Sequence, residues 1–229
     1  MKTMKKLIFN KMFLACCLTL TGIQYVVTGV QYWVPDYLTT IIGEDPAIVA
    51  WYFSFVCATS PVSGVIVGGF VMHKLGGYET KNSAYALGLM GALCAACAIP
   101  IPWCNGFYGI AVLIWFLLFF GGFIMPPMTG IMLSSVSAFE RSQAMSTATL
   151  IYNLCGYLPG PIVYGFISTQ TNLHGGSPRL AMGALLYTAI PIFMFQTCGL
   201  KKSLKRIRKR RMRDRRSSSL AMLSQASYI

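Results

Sequence analysis

The stretch Phe107–Leu133, FYGIAVLIWFLLFFGGFIMPPMTGIML, contains no charged residue and no polar face. It exceeds the roughly 20 apolar residues that a helix needs to cross the hydrocarbon core of a bilayer. Comparable runs occur at 13–34, 48–72, 83–103, 143–168 and 179–200, which makes six in all. Lipid offers the backbone no hydrogen bonds, so only helices and closed barrels cross it. Barrel strands alternate over about ten residues, whereas these runs are long and continuous. The fold class expected is all-α: a polytopic membrane protein of six transmembrane helices, with residues 1–12 and a basic tail at 201–229 outside the bundle.

Composition agrees. Of 229 residues, 55% are hydrophobic and 11% charged, and the mean hydropathy is +0.59. A formal net charge of +13 in a soluble protein would suggest nucleic acid, so the positions of the charges have to decide. Lys2, Lys5, Lys6, Lys11, Lys74, Lys81, Arg141 and the basic tail fall on one side, while Asp36, Glu44 and Asp45 fall on the other together with Arg179. The positive-inside rule then puts both termini in the cytoplasm, and the lipid bilayer replaces nucleic acid as the expected partner. The lysine-rich start resembles a signal peptide, but its apolar segment is too long and runs into Tyr32-Trp33-Val34-Pro35, which fits a signal anchor better.

Small residues mark close helix approaches. Ser60, Gly64 and Gly68 recur every four residues in the second run, and Gly156 and Gly160 do so in the fifth, on a face expected to carry Ser146, Thr149 and Asn153 inward. Pro126 and Pro127, set among Gly121, Gly122 and Gly130, predict a kink that frees backbone carbonyls.

Polar groups inside the membrane are the candidates for function. Gln24, Thr28 and Gln31 share one helical face, bordered by Tyr25 and Tyr32. They suit a substrate cavity that offers hydrogen bonds without fixed charge; for Gln24 and Thr28 interhelical bonds worth about 0.6 kcal/mol each fit equally. Gln31 and Tyr32 lie near the outer interface, where Trp33 and Tyr37 form an aromatic belt, and there the interfacial reading fits better. Tyr152 and Asn153, with Tyr157, form a second such cluster open to the same two readings. All six acidic residues and both histidines lie at helix ends, in loops or in the tail. No coupling residue is evident at mid-membrane, no deep histidine activates a serine, and neither an H-E-x-x-H nor a T-V-G-Y-G segment occurs, so protease and channel chemistry find no support. The chain reads as a non-enzyme with no cofactor. Cys94-x-x-Cys97 has metal-clip spacing, but no second pair or neighbouring histidine joins it, and no metal site is expected.

Three patterns carry a family resemblance. Asn10-Lys11-Met12-Phe13, followed by a helix ending Trp33-Val34-Pro35-Asp36-Tyr37-Leu38, is similar to the start of the seventh helix of spinster-like transporters. Gly68-Gly69-Phe70-Val71-Met72-His73-Lys74-Leu75-Gly76-Gly77 resembles the second copy of the major facilitator loop motif G-x-x-x-D-R-x-G-R. Glu140-Arg141-Ser142-Gln143-Ala144, with Gly156-Tyr157-Leu158-Pro159-Gly160-Pro161, resembles the eleventh helix of spinster-like and organic-anion carriers. The resemblance is to the C-terminal six-helix half of a major facilitator transporter, a 3+3 inverted repeat. It implies alternating-access transport of a small organic or lipid-like solute, either with a missing N-terminal half or with a second copy as partner. The other reading is a non-transporting scaffold or regulator that pairs with a full-length relative.

In the loop motif (Gly69, His73, Lys74, Gly76), the family's acid is replaced by His73, which predicts a weaker or pH-sensitive latch or else a plain tight turn. Basic residues dominate Lys201 to Arg216 and suit anionic inner-leaflet lipid. Ser217, Ser218 and Ser219 follow as phosphorylation candidates that would weaken that attraction. The plainer alternative is a tail that only anchors topology.

Overall fold

The computed structural model describes residues 9–78, 80–173, 179–194, 196, 197, 200 and 205. Within these residues every regular element is helical, and no strand is formed. Helix α1 (Lys11–Thr40) starts where the Asn10 side chain accepts from the Met12 N–H at 3.2 Å, a standard N-cap. The same side chain donates through Nδ2 to the Ser135 carbonyl, 3.1 Å away, tying the start of α1 to a residue 125 positions further along the chain. The sequence predicts an end near residue 34, yet the helix continues through Pro35 to Thr40. The carbonyl that Pro35 leaves without a donor belongs to exposed Gln31, so the break costs little there.

Helix α2 (Pro46–Lys74) begins with Asp45 accepting from the Ala47 N–H and Pro46 in the first turn, where a proline lacks nothing. Helix α3 (Lys81–Ala98), capped by Thr80, stops short of the expected 103. Pro100 and Pro102 cannot continue an α-helical ladder, and the chain makes a short 3-10 turn at Ile101–Trp103. Helix α4 (Phe107–Ser134) contains Pro126 and Pro127. After a 3-10 turn at Ala138–Glu140, α5 (Arg141–Tyr152), a π-turn (Asn153–Tyr157) and α6 (Pro159–Leu173) form one membrane-length segment, and α7 (Arg179–Tyr187) follows. Among the described residues five helical segments are long and apolar enough to span a membrane; the sixth is the shorter apolar stretch Arg179–Met194. The chain is an all-α polytopic membrane protein.

Helices α1 and α4 are the centre. In their most apolar windows 67% and 56% of residues are buried, against 28% in α2, 33% in α3 and 17% in the α5–α6 segment. The outer helices therefore turn large apolar side chains outward, among them Trp51, Ile66, Phe70, Leu89, Ile162 and Phe166. A surface of that kind requires lipid or another protein surface against it. Two apolar clusters fill the interior. One is built around Val30, Val34, Tyr37, Ile114 and Leu185, the other around Phe13, Cys17, Leu20, Phe123 and Met128, and α1 contributes to both.

Candidate functional site

The polar groups collect where α1 meets the segment from α5 to α6. Prolines shape that segment. Pro159 and Pro161 have no N–H to give the carbonyls of Cys155 and Tyr157, and the ladder slips by one residue so that the Leu158 N–H reaches the Asn153 carbonyl at 3.1 Å. This is a π-turn, which rotates the following residues relative to an α-helix and is frequent at functional sites. Gly156 and Gly160 are buried. A Cβ at Gly156 would run into the Thr21 carbonyl, and one at Gly160 would lie 2.6 Å from the Tyr25 carbonyl. Both glycines thus let the two backbones touch.

Trp33 fixes the register further along. Its Nε1 donates to the Pro161 carbonyl at 2.9 Å, and its ring stacks on Tyr164 at 4.7 Å between centroids. Beside this contact lies an open groove of about 440 Å³, walled by Thr28, Gln31 and Tyr32 from α1 and by Tyr157, Leu158, Pro161 and Ile162 from the facing segment. Its volume falls in the usual range for small-molecule sites.

Of the polar residues picked from the sequence, Thr28 and Gln31 line this groove, together with Tyr32, which borders their stripe, and Tyr157, from the second cluster. The Thr28 hydroxyl donates within its own helix, to the Gln24 carbonyl at 2.7 Å, and lies 3.4 Å from the Tyr157 carbonyl that Pro161 deprives of its donor. Its lone pairs, not its proton, remain for a ligand. Gln31 is exposed and its amide forms no hydrogen bond among the described residues. Gln24 is half-buried, with its Cβ near Gly156. Tyr152 is half-buried and shares a 3.0 Å hydrogen bond with Thr149, while Asn153 opens the π-turn with its side chain exposed. These three lie outside the groove wall, though the Gln24 and Asn153 amides are likewise unpaired among the described residues.

The expectation that Ser146, Thr149 and Asn153 share an inward face with Gly156 and Gly160 is corrected: Ser146 and Asn153 are exposed while both glycines are buried. A uniform 3.6-residue period does not survive the π-turn. The groove wall of Leu158, Pro161 and Ile162 was missed by sequence reading, although paired prolines two residues apart inside a helical run were the available signal.

Residues 92–174 match the Organic Anion Transporter Polypeptide (OATP) family. The matched stretch contains the end of α3, all of α4, and the α5–α6 wall of the groove; α1 and α2 lie outside it. OATP is a transporter family within the major facilitator superfamily, so the likeness supports membrane transport of organic anions in broad class, by a transporter and not an enzyme. It does not support the spinster-like resemblance in particular. None of the curated proteins matches the chain.

Within the OATP-matched region, α4 contains Pro126 and Pro127 and packs against α2. The Phe123 carbonyl, which Pro127 cannot serve, faces Gly68, where a Cβ would lie 2.6 Å from it. A Cβ at Gly64 would strike the Phe119 carbonyl, and one at Gly122 would lie 2.6 Å from the Pro61 carbonyl. Side chains reinforce the seam: Ser60 donates to the Trp115 carbonyl, Tyr52 to the Ala111 carbonyl, and Trp115 Nε1 to the Thr59 hydroxyl at 3.1 Å.

The loop motif ends α2 as a tight turn. Gly76 and Gly77 have φ of +84° and +88°, a conformation that favours glycine, and the Gly77 N–H closes on the Met72 carbonyl at 2.9 Å. His73 and Lys74 are exposed, and Lys74 Nζ lies 4.6 Å from the centre of the Phe70 ring, a cation–π contact. Gly69 is half-buried, and a Cβ there would meet nothing within 4 Å. Ser217, Ser218 and Ser219 lie outside the described residues.

Proposed function

We propose that the chain is one half of a major facilitator type transporter that moves a small organic anion or lipid-like amphipathic solute by alternating access. The observation that carries this reading is the open groove at the α1–α6 seam. One of its walls falls in the stretch that matches the organic-anion transporter family. Its chemistry suits such a solute: apolar and aromatic walls hold a hydrophobic body, while the Gln31 amide and the Tyr157 hydroxyl offer hydrogen bonds.

The groove is open on one side, so another six-helix body must close it. A second copy of the chain or an N-terminal half, related to this half by an axis along the membrane normal, would do so, and the two would rock against each other. Both termini then lie in the cytoplasm, with the basic tail against anionic lipid and phosphorylation of Ser217, Ser218 or Ser219 loosening that contact.

Reconstitution tests this. Liposomes containing the folded chain should take up a fluorescent aromatic sulfonate with a rate that saturates. Folded protein that gives no uptake, alone or with an added N-terminal half, would favour the scaffold reading instead.

A further inference from the structure

A second cleft lies away from the groove, at the end of the bundle opposite to Lys11, Lys74, Lys81 and Arg141. There the 3-10 turn Ile101–Trp103 meets the start of α7. The cleft measures about 630 Å³ and is lined by Pro102, Trp103, Arg179, Gly183 and Tyr187, among others. Four of its residues point to a ligand.

Trp103 is 75% exposed, yet it is held in place, because its Nε1 donates to the Tyr187 hydroxyl at 2.7 Å. An indole so fixed presents an apolar face without the cost of ordering it on binding. The Tyr187 oxygen is the acceptor in that bond, so its own proton remains to be given to another acceptor. Arg179 forms no ion pair among the described residues. Gly183 keeps the floor open: a Cβ there would meet Tyr187 at 3.4 Å and Pro102 at 3.7 Å, ordinary contact distances, so the room is real and can be filled.

We propose that this cleft binds an acidic group carried on an apolar body, the body lying on Trp103 and the acid taking Arg179 and the Tyr187 hydroxyl. Two sources carry that chemistry at a membrane surface: a free aromatic anion from the aqueous phase and the headgroup of an anionic lipid. The cleft is separate from the groove between α1 and α6. Its binding does not depend on transport, so either reading can fail without the other.

The test uses the full chain in phosphatidylcholine nanodiscs, with naphthalene-2-carboxylate as probe and the neutral naphthalene-2-carboxamide as control, binding being measured by equilibrium dialysis. The carboxylate should be preferred about tenfold or more, as a charge-assisted bond provides. Arg179→Gln should remove that preference while leaving the carboxamide unchanged, and Arg179→Lys should restore much of it. Gly183→Leu should weaken both probes with the protein still monodisperse. Adding phosphatidylglycerol separates the sources: competition with the carboxylate in the wild type but not in Arg179→Gln marks the lipid headgroup as occupant, and no competition marks the free anion. An equal affinity for the two probes in the wild type overturns the proposal, as does a preference that persists in Arg179→Gln.

Discussion

The seam between α2 and α4 and the seam between α1 and the α5–α6 segment are made from the same parts and come out differently. Each uses buried glycines four residues apart to bring one backbone against a carbonyl of the other: Gly64 and Gly68 in the first, Gly156 and Gly160 in the second. In the first seam the remaining polar groups are spent across the interface, with Ser60, Tyr52 and Trp115 all bonded to the opposite helix. In the second, a π-turn and two prolines rotate the chain outward beyond the glycines, and the polar groups of Gln31 and Asn153 stay unpaired among the described residues. Close approach alone makes a joint. Close approach followed by a break in helical phase makes a groove.

The comparison is broken most severely at Gly64. Leucine there would press into the α4 backbone, which cannot move aside as a side chain could, and should cost about 3 kcal/mol or more. Gly69→Leu, one helical position past Gly68 and facing open space, should stay within about 0.5 kcal/mol of wild type. Thermal unfolding in detergent micelles measures both, and equal losses would show that α2 does not pack as described.

On the other seam, Tyr157→Ala and Gln31→Ala are expected to raise the KM for uptake roughly tenfold each, about 1.4 kcal/mol of binding, with unfolding temperatures unchanged. Gln24→Ala and Asn153→Ala, which lie outside the groove wall, should change KM less. Trp33→Phe removes the bond to the Pro161 carbonyl while keeping the stack on Tyr164, and should lower stability by about 1 kcal/mol. Ser60→Ala, the loss of one bond across the first seam, should cost near 0.6 kcal/mol, visible in unfolding but absent from uptake at saturating solute.

The membrane spans were legible because hydrocarbon imposes a simple demand, length without charge, and Phe107–Leu133 meets it on its own. Their ends were less so. α1 passes through Pro35 because the proline falls where the deprived carbonyl is exposed, and α3 stops at Ala98 because Pro100 and Pro102 act together with nothing to compensate them. The candidate site was legible by half. Thr28 and Gln31 were found from their three-residue spacing, which holds in an unbroken helix. On the opposite wall Tyr157 was within the second cluster, but the common face expected for Ser146, Thr149, Asn153, Gly156 and Gly160 fails, because spacing across Asn153–Tyr157 assumes a regular α-helix that Pro159 and Pro161 do not allow. The cleft at Trp103 and Arg179 left no trace in periodicity at all, since its residues come from a turn and a helix start far apart in the chain.

The central claim, that the groove between α1 and α6 is a wall of the solute pathway, is tested most directly by uptake into liposomes containing the chain with Gln31 and Tyr157 both replaced by alanine. The account predicts saturable uptake of an aromatic sulfonate by the wild type and, in the double variant with unaltered unfolding, a KM raised by well over tenfold. Saturable uptake with the same KM in both proteins would contradict it.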